Sequence, residues 1–279
     1  MLAAFLHFKG FGAVFFFIFS PNNAGKTVMS QYLAACLAGR GYLPPFGHGE
    51  GQMMPKVKEM MRASPWDADA HMAWGYIRKV WQEALAASGK QVFIEASPPN
   101  MMRVRAIRKH FAGDMKAVIS TSAPMRQVAS CLRNYGTAPL EAARIERVTH
   151  RVIRRARVQA QNMADFPDIP AITYEAFCRE PALLAQAFDV APPKGPIKIQ
   201  GKKNSLISGI RDLSVRDCAF LTEGEYRQVY ALLAEEGALW STLGVTIESW
   251  DDFYHKHASA RDFDIGRERR ADWDTIPRG

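Results

Sequence analysis

The segment Ser20-Pro-Asn-Asn-Ala-Gly-Lys-Thr27 sets a glycine, a lysine and a hydroxyl side chain in a row, directly after an apolar run. Its spacing is that of the phosphate-binding pattern G-x-x-x-x-G-K-[ST], with Ser20 standing where the first glycine is usual. The chemistry is anion binding. A loop that enters a helix N-terminus aims several unpaired N–H groups at one point, and the helix dipole favours negative charge there. Asn22, Asn23, Ala24, Gly25, Lys26, Thr27 and Val28 are therefore the candidate phosphate ligands. Lys26 adds a mobile positive charge, and the Thr27 hydroxyl can meet a phosphate oxygen or a magnesium ion.

A second chemical feature is a run of arginines, Arg144, Arg147, Arg151, Arg154, Arg155 and Arg157. Arg144, Arg147, Arg151, Arg154 and Arg155 fall at helical spacings that put them on one face. That face is either simply solvated or a surface for an anionic acceptor, such as an acidic glycan, a phospholipid headgroup or a nucleic acid. The aromatic interleaving of a single-strand nucleic-acid platform is missing, so nucleic acid ranks low.

The elements that must position these groups are legible as short apolar runs separated by helical patterns. Ala13–Phe19, Gln91–Glu95, Ala117–Thr121 and Ala171–Tyr174 read as parallel strands buried on both faces. Helices are expected at Thr27–Ala38, Asp67–Ala87, Asn100–Phe111, Pro124–Arg133 and Leu140–Ala164. Strands alternating with helices predict an α/β fold of the phosphate-loop type, three layers (α/β/α) around a central, mostly parallel sheet. Pro192 to Gly209 reads as a loop. Thr222–Leu239 reads as a helix with a capping box, Thr222 at the N-cap and Glu225 three residues on. The predicted domain spans residues 11–247. Residues 248–279 form a polar extension, its end expected to wrap the surface or be partly disordered.

Composition bounds this reading. With 279 residues and 48% hydrophobic content the chain can bury a substantial core. A formal net charge of +8 and a pI of about 9.4 favour anionic partners without choosing among them. Cys36, Cys131, Cys178 and Cys218 are widely spaced with no C-x-x-C pair, which predicts reduced thiols in a cytoplasmic protein. The apolar start reads as a ragged segment and a buried strand. Lys9 is the only positive charge before the apolar run Phe11–Phe19, no A-x-A site follows the run, and it falls short of the roughly 20 residues of a membrane span.

From Lys90 onward the order of motifs resembles the sulfotransferase family, whose members take a sulfuryl group from 3′-phosphoadenosine 5′-phosphosulfate (PAPS). Gln91-Val-Phe-Ile-Glu-Ala-Ser-Pro98 resembles the family's strand ending in E-K-S-P or E-K-T-P. Lys116–Tyr135 resembles the strand, R-x-P-x-x-x-x-x-S motif and helix that hold the donor's 3′-phosphate. Ile172–Pro181 is similar to the family's TYEDL…P segment. Leu221–Tyr226, running on to Leu243-Gly244, is similar to its C-terminal helix and LGY ending.

The resemblance implies PAPS as co-substrate, no metal, and an acceptor hydroxyl or amine on a small molecule, lipid or saccharide, an anionic one included. Carried over by position, Gly25 and Thr27 would grip the 5′-phosphosulfate. Ser130 would meet the 3′-phosphate with Arg126 and Arg133, and Lys202 and Lys203 would close over the donor. Glu95 is the first candidate base, since it ends a strand at the sheet edge that faces the ligand crevice. His48, in the polar loop Gly47-His-Gly-Glu-Gly51 where acceptor recognition would fall, is the second. Lys26 is the candidate catalytic cation. Three family residues differ here: the loop lysine is Asn23, the lysine after the strand glutamate is Ala96, and the arginine before the helix is Ser122. The Gly25-Lys26-Thr27 ending keeps open a kinase or nucleotide hydrolase using ATP or GTP with magnesium at Thr27, and those departures keep open a non-catalytic nucleotide-binding protein on the same fold.

Overall fold

The computed structural model describes residues 14–47, 49–135, 140–195, 197–200 and 206–259. Five strands, β1 (Val14–Phe19), β2 (Gly41–Tyr42), β3 (Val92–Glu95), β4 (Met115–Thr121) and β5 (Ala171–Thr173), form one sheet in the order β2-β3-β1-β4-β5. Every pairing in it is parallel, with Phe17 opposite Glu95 on β3 and Phe19 opposite Ile119 on β4. The fold is α/β with helices on both faces of that sheet.

β1 explains the arrangement. Its residues Phe15 to Phe19 are almost fully buried. Phe15, Phe17 and Phe19 belong to one core, and Phe16 and Ile18 to the core behind the sheet. A strand with no polar face must be central and covered on both sides. The first face is covered by α2 (Pro55–Ala63), α3 (Trp74–Ala87) and α4 (Val104–Phe111), where Phe111 meets Phe15 edge-on at 4.8 Å and Trp81 stacks on Phe93 at 5.1 Å. The second face is covered by α1 (Lys26–Cys36), α7 (Tyr174–Arg179) and α8 (Ala182–Ala187), with Phe188 stacked on Phe16 at 4.7 Å.

A third core is helical. It joins α5 (Pro124–Tyr135), α6 (Ala142–Asp165), α9 (Ser214–Cys218), α10 (Glu223–Ala234), α11 (Gly237–Thr242) and α12 (Trp250–His257) around Leu132, Val152, Leu233, Trp240 and Phe253.

Several expectations shift. The long segment from Asp67 is helical only from Trp74, because Arg103, 3% exposed, donates to the Ser64 and Asp67 carbonyls and holds the preceding stretch as a loop. Asn100–Phe111 is a 3₁₀ turn (Pro98–Arg103) running into α4. Within Pro192–Gly209 two three-residue strands, β6 (Lys198–Gln200) and β7 (Leu206–Ser208), pair antiparallel, too short to stand out from the Pro, Gly and Lys around them. The helix from Thr222 has its capping box but stops at Ala234. There the Trp240 indole donates to the Leu233 carbonyl, and α11 begins at Gly237. Beyond Ile247, Ser249 caps α12, and Trp250 and Phe253 are buried against Tyr226. Met1–Ala13 and the residues from Ala260 onward lie outside the described residues. Among the described residues no helix is long and apolar enough to cross a membrane.

The sheet reverses its strand order at β1. The chain goes first to β2 and β3 on one side, then to β4 and β5 on the other, which opens a crevice at the carboxyl end of β1. Gln159 of α6 holds the floor of that crevice: its amide donates to the carbonyls of Phe19 and Ser120, both at 2.8 Å, and its oxygen accepts from Asn162. Gln159→Leu keeps the bulk and strands both carbonyls. It is expected to cost about 2 kcal/mol or more of unfolding free energy, read from urea denaturation at unchanged m-value.

Candidate functional site

The loop between β1 and α1 sits in this crevice. Asn23 (φ 60°) and Gly25 (φ 84°) both take left-handed backbone, which turns the chain into the helix. Gly25 is also required sterically, since a Cβ there would lie 2.1 Å from the Tyr174 ring. No side chain caps α1 and no acidic residue stands in its first turn, so its N-terminal amides face the crevice uncovered.

The opposite side of the loop is gripped by α5. Gln127 donates to the Asn22 carbonyl at 2.9 Å and Arg126 to the Asn23 carbonyl at 3.0 Å. The Asn23 side chain is fully engaged there, donating to the Cys131 sulfur at 3.0 Å and accepting from Asn134 at 2.9 Å. The Asn23 amide is thus bonded to α5 in this structure. Ala24 is buried beneath the turn, while Thr27 and Val28 are half-buried at the helix start.

Lys26 is 8% exposed and points across the crevice, its ammonium 2.6 Å from Glu50 Oε1. The other oxygen of Glu50 accepts from the Gln52 amide at 2.7 Å. One residue on, the Gly51 N–H donates to Glu95 Oε2 at 2.6 Å, and the Gln52 N–H to Ser97 Oγ at 3.2 Å. Glu95 Oε1 accepts from the Ser97 N–H and the Asn100 amide, both at 2.9 Å.

Glu95 is therefore a buried carboxylate with three donors, held on the loop that carries Glu50. Burial pushes its carboxyl up to about 7, against hydrogen bonds from Ser97 and Gly51 that pull it down, with the Glu50 charge adding to the rise. In the sequence Glu50 is only one member of a polar loop. Its pairing with Lys26 spans 24 positions and needs the fold. His48, in the same loop, lies outside the described residues.

Ser130, Arg126 and Arg133 do come together on α5, but with protein partners. Arg126 is 5% exposed. Its guanidinium donates to Ser122 Oγ at 2.9 Å, lies 3.7 Å over the Tyr174 ring and faces Asp217 at 3.7 Å. Arg133 Nη1 stands 3.0 Å from Asp217 Oδ1, and Arg216 at 3.3 Å from the same oxygen. Ser130 Oγ accepts from Asn134 at 3.3 Å. Ser122 and the Ala123 N–H both donate to Glu175, which occupies the start of α5. Asp217, 2% exposed, is the residue that sequence reasoning missed. Nothing in its local pattern marks it as the counter-charge of two arginines on another helix. Lys202 and Lys203 lie outside the described residues.

Beyond Arg126, at the ends of β4 and β5, a cavity of about 400 Å³ is lined by Glu175, Arg179, Asp212, Tyr226 and Lys256 among others. Among the described residues no group of three or more His, Cys, Asp or Glu is placed to hold a metal ion. Cys36, Cys131 and Cys218 are buried free thiols and Cys178 is a half-buried one.

The residues fit the two halves of a PAPS-like donor unequally. The uncapped start of α1 with Lys26 suits a phosphosulfate, whereas the arginines expected at a 3′-phosphate already share one carboxylate, that of Asp217, with Arg216. No family model and no curated protein matches the sequence. Among solved structures the chain is similar to a sulfotransferase domain from the curacin biosynthetic pathway, with 16% identity over 85% of this chain and 99% of that one and a TM-score of 0.45.

Two outcomes follow from the carboxylate network. A Cβ on Gly51 would lie 2.3 Å from Glu95 Oε2, so Gly51→Ala is expected to break the 2.6 Å bond and destabilise the fold by about 1–3 kcal/mol in urea melts. The folded-state value of Glu95 lies above its ordinary 4.5, so the native protein holds this proton more tightly than the unfolded chain. The stabilisation is complete below about 4.5 and is lost as pH rises through about 7. Thermal melts are expected to show the wild-type Tm falling across that window more steeply than the Tm of Glu95→Gln. Parallel curves would contradict the assignment.

Proposed function

We propose that this chain is a sulfuryl transferase that binds the phosphosulfate of PAPS at Asn22–Val28 and passes the group to an acceptor hydroxyl or amine in the crevice at β1. The observation that carries the reading is the Lys26–Glu50 pair, 2.6 Å apart at the uncapped start of α1. It sets an acid and a base side by side where the strand order reverses. Transfer needs both: a carboxylate to take the acceptor's proton, and fixed positive charge beside the phosphate oxygen that receives the electron pair of the broken S–O bond.

The donor supplies an activated sulfuryl group; the rest falls to the chain's own residues. Lys26 and the N–H groups at Gly25–Thr27 bind and orient the anion. Glu50 takes the acceptor's proton. Glu95, expected as the base, serves instead by holding Gly51 and so fixing Glu50, since its oxygens are buried and already accept three hydrogen bonds. Arg126 and Arg133 would meet a 3′-phosphate while sharing their charge with Asp217, with Ser130 on the same helix.

The Gly25-Lys26-Thr27 ending also supports the kinase or hydrolase reading, and the two separate cleanly. Adenosine 3′,5′-bisphosphate is expected to raise the Tm without magnesium. Lys26→Ala and Glu50→Gln are each expected to lower sulfuryl transfer from PAPS by about 10²-fold or more, with Lys26→Arg retaining part of it as a check that the fold survives. A Tm shift given only by ATP or GTP with magnesium, together with ATP turnover lost in Lys26→Ala, would replace this reading with the kinase one.

A further inference from the structure

The arginine-rich helix α6 does not present one uniform face. Gln159, whose amide holds the Phe19 and Ser120 carbonyls at the floor of the crevice, begins a row of side chains four residues apart that runs back along α6 through Arg155, Arg151 and Arg147. Each step of four advances one turn, about 6 Å, and rotates about 40° around the axis. The row therefore climbs out of the protein. Gln159 is fully buried, Arg155 is 9% exposed, and Arg151 and Arg147 are exposed, with Arg154 exposed beside them.

Arg155 corrects the single solvated face expected from spacing: its guanidinium lies 3.7 Å over the ring of half-buried Trp66, from the loop before α3. The inner end of the row comes near Cys131 of α5, the residue whose sulfur accepts from the Asn23 amide of the loop. Burial pushes the Cys131 thiol up, while the Asn23 amide and the guanidiniums of Arg155, Arg151 and Arg126 pull it back. Arg147, Arg151 and Arg154 have no carboxylate within ion-pair distance among the described residues. The neighbouring charges on α6 do pair, His150 with Glu146 and Arg157 with Glu236.

We infer that the acceptor is an acidic saccharide, one already bearing carboxylate or sulfate groups, and that it lies along Arg147, Arg151 and Arg154 with its reacting end at Arg155, Trp66 and the phosphate loop. Calling the ligand an acceptor rests on the sulfuryl-transfer reading; the anion-binding row does not. Arg147, Arg151 and Arg154, leading toward the crevice, complement an extended polyanion, and Trp66 offers an aromatic wall at the inner end. A membrane surface fits less well: the exposed large apolar residues among those described are Phe46, Tyr76 and Tyr254, none of them on α6. A single-stranded nucleic acid would need aromatic side chains among the arginines, and α6 has none.

The test uses the full chain and a fluorescent heparin oligosaccharide, followed by anisotropy at low and at physiological salt. The triple variant Arg147→Ala/Arg151→Ala/Arg154→Ala changes only exposed side chains and is expected to bind on the order of tenfold more weakly at low salt. Its Tm shift with adenosine 3′,5′-bisphosphate should be unchanged. The variant Lys79→Ala/Lys90→Ala/Lys109→Ala removes the same charge from other exposed positions and should bind as wild type. Arg155→Lys should weaken binding with the fold intact.

Equal losses in both triple variants, no loss in the first, or tighter binding of phosphatidylserine vesicles or single-stranded DNA than of the saccharide would overturn the inference. The expected saccharide result combined with no bisphosphate shift would retain the anion row and reject the donor.

Discussion

A carboxylate buried away from water has to be satisfied by the protein or give up its charge, and Glu95 sits at that boundary. Its oxygens are reached from Ser97, Asn100 and Gly51, so the end of β3, the 3₁₀ turn after it and the loop before α2 must converge on one point. Gly51 makes that convergence possible, because any side chain at this position would occupy the space of the carboxylate oxygen. Glu50 is the residue next to Gly51 and Lys26 is its partner. The chemistry proposed at the mouth of the crevice thus inherits its geometry from a group that need not touch substrate.

The second constraint comes from α5 and α6, which hold the loop between β1 and α1 from behind. Gln127 and Arg126 take its carbonyls, Gln159 takes the carbonyl of the strand that feeds it, and Tyr174 closes over Gly25. With the carbonyls bound on one side, the amides at the start of α1 are turned to the other. The anion binding proposed here rests on where the backbone is pinned. Lys26 is the one charged side chain of the loop, and it is balanced by Glu50 rather than left to repel the helix start.

The arginines divide into two populations with different physics. Arg126 and Arg133 are drawn inward and share the carboxylate of Asp217, an arrangement in which the desolvation of the guanidiniums is partly offset by that charge and by hydrogen bonds. Arg147, Arg151 and Arg154 stay in water and keep their field. Arg155 stands between them, desolvated against Trp66. Similar residues on neighbouring turns take opposite roles because the turns climb from core to solvent.

The sequence by itself determined the central strand, the glycine-lysine turn into α1 and the capping box at Thr222. Each is a local signal: an unbroken apolar run, a glycine and lysine at a helix start, a hydroxyl three residues before a glutamate. It also announced the α/β alternation, since strand and helix periods are properties of short windows. Only the tertiary structure decided that Asn23 faces α5, that Lys26 meets Glu50, that Asp217 occupies the arginines offered to a phosphate, and that Arg155 leaves the basic face for Trp66. Lys26 and Glu50 are 24 positions apart, and Asn23 and Cys131 are 108 apart. Such partners are set by which elements the sheet order brings together. No periodicity along the chain encodes that, because a charge finds its counter-charge across the fold and not along the backbone.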